Sequence, residues 1–209
     1  MTSSNPWEQA QIPRGGDATE DAVFVSIGRA LSQWEYFEMW FAQIFSVCVS
    51  DNQGIDSGLP AQRAYGAIMT YRGRADMVKA AFAAFMNNKL RYEPETDKAL
   101  AKQISDEFSA LVNRSNKYSP RRNEIAHGFV QEWIDGCGDS CGFALFPTSY
   151  STNKNSLAAP DEAQYQRRLP WPDYIYSSAE IGAYGEQFSG LQRQSKEFLT
   201  KLIGFRHNR

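Results

Sequence analysis

Ile27, Leu31, Trp34, Glu38, Phe41, Phe45 and Cys48 follow one another in steps of three and four. That period fits one buried face of a helix and excludes a strand, whose faces alternate every two residues. Residues from about Ala18 to Val49 are therefore expected as one long helix. Glu38 is the single acidic member of the stripe. A carboxylate on a buried face has to be neutralised or paired, because an unpaired buried charge is expensive. Two readings follow: a structural ion pair with an arginine of a neighbouring helix, or a stripe that opens onto a polar cleft at this level. Arg74 is the first candidate partner and Arg122 the second.

The rest of the chain repeats the helical period. Leu59-Pro60 opens a second region to about Asn88, with proline at the first helical position and a break expected at Tyr71-Arg72-Gly73-Arg74. Leu100, Ile104, Phe108 and Leu111 mark a third helix from about Glu95 to Lys117. Ser119-Pro120 then reads as an N-cap and first position of a short new helix reaching His127, with Gly128 as its C-terminal cap. Phe129–Ile134 and Gly142–Phe146 read as two strands around a Gly-rich turn, and Tyr174-Ile175-Tyr176 as a short third strand. Ser177-Ser178-Ala179-Glu180 is a capping box opening a last helix along Ile181, Tyr184, Phe188, Leu191, Phe198 and Leu202. The fold expected is mainly all-α: an antiparallel up-and-down helical bundle with a β-hairpin insertion before the last helix. Residues 1–16 are expected as a flexible tail and 17–209 as one domain, with 129–176 as the insertion.

Composition bounds the partners. Of 209 residues, 42% are hydrophobic and 22% charged, and the net charge is −2, so no global basic field attracts nucleic acid and any such contact needs a local arginine cluster. The most apolar stretch, Trp34 to Val49, is interrupted by Glu35, Glu38 and Gln43, which argues against a membrane span. The polar N-terminus lacks the apolar core of a signal peptide, and three cysteines cannot form a disulfide framework. A cytoplasmic protein is expected. Cys137 and Cys141, with no second Cys/His pair nearby, do not make a zinc site, so neither a metal nor another cofactor is expected. Tyr150, Tyr165, Trp171 and Tyr174 are aromatic groups of the insertion that could stack on bases or pack against a partner.

Chemistry concentrates in Arg121-Arg122-Asn123-Glu124-Ile125-Ala126-His127-Gly128. His127 is one of two histidines, the other being His207 near the C-terminus. A fixed cation beside an imidazole suits phosphodiester cleavage: one group holds the phosphate and the other moves a proton near neutral pH. Asn123 and His127, four apart, share a helix face. Arg122 and His127 lie about 140° apart at roughly 100° per residue, so they converge only if the long arginine reaches around or a second subunit completes the site. The structural alternative is a helix-end histidine favoured by the helix dipole.

This segment resembles the HEPN superfamily, whose motif is arginine, a polar residue, then histidine after four to six intervening residues. Arg122 to His127 matches with four, and Arg121 also fits with five. Asn123, as the polar follower, favours Arg122. The segment is similar to small bacterial members reading Arg-Asn-x-x-Ala-His-Gly, as is Trp34-x-x-Phe37-Glu38. The resemblance implies a homodimer with two motifs facing across a cleft and, in active members, metal-independent RNA cleavage. The leading expectation is such a ribonuclease in a toxin or defence setting, for which a cognate antitoxin or other partner protein is a candidate partner. Arg122 would hold the scissile phosphate, His127 would act as base or acid, and Asn123 would orient one of these groups. Glu38, Arg74 and Arg121 would support them. The other reading is a non-catalytic dimeric module of this type that binds nucleotide, RNA or a partner protein. Some members carry a modifiable tyrosine two residues after the histidine, and Phe129 stands there in this chain.

Overall fold

A computed structural model describes residues 5–50, 58–92, 97–135, 137–148, 172 and 174–207. Over them the chain is mainly helical: α1 (Glu20–Val49), α2 (Leu59–Ala67), α3 (Tyr71–Tyr92), α4 (Lys98–His127), the strands β1 (Phe129–Ile134) and β2 (Ser140–Phe146), and α5 (Ser178–His207). The hairpin stands before the last helix, as the hydrophobic pattern implies. No helix among the described residues is long and apolar enough to cross a membrane. Tyr150, Tyr165 and Trp171, the expected start of the third helix at Glu95, and residues 51–57 of the first loop lie outside the described residues. Two compact units make up the chain: Met1–Ser32 with Pro120–Gln187, and Gln33–Ser119 with Phe188–Arg209.

In the second of these units the stripe of α1 meets an aromatic core. Phe82 stacks on Phe108 with ring centroids 4.0 Å apart, and Phe198 lies 5.7 Å from Phe108. Trp34, fully buried, makes edge contacts with Phe37, Tyr71 and Phe188 at 5.0–5.3 Å. Burial of each such ring contributes about 1.5–3 kcal/mol, and a well-set aromatic pair roughly 0.5–1.5 kcal/mol more. Polar caps set the helix ends. Asp97 Oδ1 accepts from the backbone N–H groups of Ala99 and Leu100, at 2.8 and 3.2 Å, and opens α4. Arg206 Nη1 donates to the Val47 carbonyl at 2.6 Å and its Nη2 to that of Ser50, closing α1. Near that end Phe205 is buried, and α5 continues to His207.

Two helix boundaries differ from expectation. The break falls at residues 68–70, ahead of Tyr71, because Thr70 Oγ1 accepts from the Gly73 N–H at 3.2 Å and caps the first turn of α3. Ser119-Pro120 does not start a helix: α4 runs through Pro120. Its buried residues Ile104, Phe108, Leu111, Ser115 and Tyr118 follow in steps of four and three, and Ile125, seven residues after Tyr118, continues the same face beyond the proline. Burying that stripe offsets the roughly 3 kcal/mol penalty of an interior proline.

In the first unit β1 and β2 pair antiparallel, Phe129 opposite Phe146 and Val130 opposite Leu145, with an irregularity between Glu132 and Ile134. Asp135 Oδ1 collects the N–H groups of Cys137 (2.8 Å) and Asp139 (3.0 Å) in the turn, which holds its carboxyl below the usual range. Trp133, Ala144, Phe146 and Ile175 form a small core with Cys141 against it. The Tyr174–Tyr176 segment joins β2 through a single bridge, Leu145 to Tyr176, and not as a full strand. Ala10, Gly16 and Asp17 make hydrogen bonds within this unit. The Gly16 N–H donates to the Cys141 carbonyl at 2.7 Å, Asp17 and Phe143 exchange backbone bonds, and the Ala10 N–H donates to the Tyr184 hydroxyl at 2.7 Å. Gly142, at φ +93°, permits this: a Cβ there would lie 2.5 Å from the Asp17 carbonyl. Asp17 also accepts from the Ser178 N–H and hydroxyl, and Ser177 with Glu180 completes the expected capping box of α5.

Candidate functional site

The last two turns of α4 carry the motif, and long-range contacts within the first unit fix them in place. Glu124 is the centre of these contacts. Its Oε1 accepts from Arg121 Nη2 at 2.7 Å, and its Oε2 accepts from the Tyr176 hydroxyl at 2.6 Å. Its backbone carbonyl accepts from the Tyr174 hydroxyl at 3.2 Å and from the Gly128 N–H at 3.0 Å. The two tyrosine rings stack at 4.9 Å. Burial, then the charge of Glu124, holds the Tyr176 phenol above its ordinary value, so it donates to that carboxylate as a neutral hydroxyl. The sequence alone assigns Glu124 no role in the motif. Arg121 is a local partner, but Tyr174 and Tyr176 lie fifty and fifty-two residues on and leave no local signal.

Around this anchor the candidate residues divide. Arg121 is engaged with Glu124, and its Nε is buried with no hydrogen-bond partner among the described residues. Arg122 is half-buried, and its Nη1 donates to Asn123 Oδ1 at 3.3 Å. Asn123 and His127 are both exposed, one turn apart on the same helix. The His127 imidazole has no hydrogen-bond or ion-pair partner among the described residues. Gly128 does not take the left-handed backbone expected of a C-terminal cap. Glycine is needed there for space: a Cβ would lie 2.8 Å from the Leu145 side chain and from the Phe146 carbonyl. The hairpin thus packs directly against the chain between His127 and Phe129.

Glu38 and Arg74 belong to the other unit and form its polar centre. Glu38 is buried and accepts from Trp34 Nε1 at 2.8 Å, from the Tyr65 hydroxyl at 3.2 Å and from Arg74 Nη1. Arg74, not Arg122, is the cation on this carboxylate. Its Nε also donates to the Ile68 carbonyl at 2.8 Å. Burial pulls the Arg74 guanidinium down, but the hydrogen bond and charge of Glu38 overcome that and leave it above its ordinary value. Sequence reading found the pair but not Trp34 and Tyr65 as its two neutral donors.

The first unit also holds a cavity of about 650 Å³ between residues 5–11 and the start of α5, lined by Glu8, Gln11, Glu180 and Tyr184, and no motif residue lines it. Among the described residues no three His, Cys, Asp or Glu side chains come together as metal ligands. Cys137 is exposed and Cys141 half-buried, both as free thiols. No family model, curated protein or solved structure matches this chain.

Proposed function

We propose that this chain is a metal-independent endoribonuclease of HEPN type, working as a homodimer in the cytoplasm in a toxin or defence setting. One observation carries the reading. An exposed histidine with no partner among the described residues ends a helix, one turn beyond an exposed asparagine held by the preceding arginine. In this reading His127 takes the proton from a ribose 2′-hydroxyl and the 2′-oxygen attacks phosphorus. The bond from phosphorus to the 5′-oxygen breaks, and that oxygen takes up a proton. The products are a 2′,3′-cyclic phosphate and a 5′-hydroxyl. Arg122 offsets the charge that grows on the phosphoryl oxygens, and Asn123 orients one of the reacting groups. The angle of about 140° between Arg122 and His127 on one helix favours a site shared with a second copy.

RNA cleavage with chelator present, comparing wild type with His127→Ala and Arg122→Ala, tests this. Cleavage is expected from the wild type and a loss of at least a hundred-fold in each variant, the scale of general acid–base catalysis. Equal activity in all three overturns the assignment. The net charge of −2 favours a second reading: a non-catalytic dimeric module that binds nucleotide, RNA or a partner protein. It predicts saturable binding that His127→Ala barely alters and no cleavage. Colony growth on expression separates the two, since toxicity abolished by His127→Ala belongs to the enzyme alone.

A further inference from the structure

β2 is paired on both of its sides. Along one side lies β1. Along the other, Asp17 and Phe143 exchange backbone bonds of 2.7 Å, and Leu145 and Tyr176 exchange bonds of 2.8 and 3.0 Å. In an antiparallel ladder each residue directs its N–H and C=O to one side. Residues that stand opposite each other therefore either exchange both bonds or both point away. Phe143 and Leu145 point away from β1, so Glu132 and Val130, which stand opposite them, point away from β2. Their four main-chain groups line the outer edge of β1. Among the described residues no backbone group pairs with that edge. Gln131 and Glu132 are exposed, and the regular ladder ends after Glu132.

We infer that the outer edge of β1 is a docking site for a short, basic, extended segment of a partner protein, which adds as an antiparallel strand opposite residues 129–132. The docking does not depend on whether the motif cleaves RNA. The far edge of this sheet already holds chain in the same manner, through one reciprocal pair of bonds at Asp17 and one at Tyr176. Val130 and Glu132 stand two residues apart, as Phe143 and Leu145 do, and offer an equivalent pair of sites. Charge selects the occupant. Residues 129–146 contain Glu132, Asp135 and Asp139 and no lysine or arginine. The Asp135 carboxylate is taken up by N–H groups of the turn. Glu132 accepts from the Ser140 hydroxyl at 2.6 Å and pairs with no cation among the described residues. A lysine or arginine opposite Glu132 in the added strand completes a cross-strand ion pair. A second copy of β1 brings no such cation and sets its own three carboxylates toward these, so self-pairing is disfavoured.

The probe is an end-blocked peptide, Thr-Lys-Thr-Val-Ile-Thr, whose antiparallel register sets lysine opposite Glu132 and valine opposite Val130. Amide NMR of the whole chain is expected to show saturable shifts at Val130 and Glu132 and slowed exchange of both amides. A peptide N-methylated at its lysine and valine keeps both side chains and loses the two N–H groups that face β1. It is expected to bind at least roughly tenfold more weakly, the scale of two main-chain hydrogen bonds. Glutamate in place of the peptide lysine is expected to weaken binding roughly two- to tenfold, a difference that added salt reduces. Val130→Pro removes one outward N–H at an edge position where proline breaks no ladder bond. With folding established by circular dichroism, it is expected to bind roughly fivefold more weakly. No response of either amide to the parent peptide, or equal binding of the N-methylated one, overturns the docking edge. Equal binding of the lysine and glutamate peptides overturns the basic partner. Protection of the same amides that grows with protein concentration, without peptide, assigns the edge to a second copy and overturns it as well.

Discussion

Trp34 and Arg74 grip opposite oxygens of the Glu38 carboxylate: the indole N–H donates to Oε1 at 2.8 Å and the guanidinium to Oε2. The carboxylate side chain is 6% exposed and that of Arg74 22%, so the charge depends on these partners and not on water. Removing one partner of a buried pair leaves the other uncompensated. Arg74→Ala should therefore lower stability by about 3 kcal/mol. The double variant Glu38→Gln/Arg74→Met, which leaves no buried charge, should lose less than Arg74→Ala alone. Urea denaturation of wild type and both variants checks this. A double variant less stable than the single one would show that the pair is not what Arg74 supports.

Alkali should unfold the protein through its buried phenols. Burial holds Tyr65, Tyr71 and Tyr176 above the ordinary tyrosine value of 10.0, and the Glu38 charge adds to this for the first two and the Glu124 charge for the third. The folded chain keeps protons that the unfolded chain releases. The stability these residues contribute is complete below pH 10 and is lost progressively as pH rises above it. Tyrosinate absorbance after a jump to high pH should show a slow phase that coincides with loss of helical circular dichroism. Full ionisation within the mixing time, with the helices intact, would contradict the burial of these rings.

The two polar centres differ in how far the sequence displays them. Glu38 stands out because it breaks an apolar helical stripe, and Trp34 lies four residues before it on the same face, so one of its three donors is local. Arg74 is readable as an arginine of a neighbouring helix, whereas Tyr65 carries no signal beyond being aromatic. Glu124 shows the opposite case. Its neighbours in sequence mark it as one more polar residue of a helix, and its partners Tyr174 and Tyr176 stand fifty and fifty-two residues away in the chain. Gly128 was readable as a helix end but not as a packing site, because Leu145 and Phe146 reach it through the hairpin register.

That packing makes Gly128 sensitive to a single methyl group. A Cβ would meet Leu145 and the Phe146 carbonyl at 2.8 Å, and backbone oxygen cannot move aside as a flexible side chain can. Gly128→Ala should cost about 1–3 kcal/mol, the range for an overpacked site. Urea denaturation with circular dichroism measures it. If the role were only to supply a left-handed cap, a d-alanine introduced at 128 by semisynthesis would restore stability. Since the backbone here is not left-handed, neither enantiomer should.

Ser119 and Pro120 offer the sharpest contrast between local signal and burial. As a helix start, Ser119 would contribute about 1 kcal/mol as N-cap, and proline at the first position would be favourable. Inside α4 the roles invert. Ser119 has no capping to do, so Ser119→Ala should change stability by less than about 0.5 kcal/mol. Pro120 deprives the Asn116 carbonyl of its helical N–H, so Pro120→Ala restores a bond and relieves a clash. The gain, reduced by the greater freedom of the unfolded chain, should be about 2 kcal/mol. Thermal and urea denaturation of the two single variants read both signs. Loss of stability in both would mean that a helix begins at Pro120 in solution, and the stripe from Ile104 to Ile125 would not be continuous.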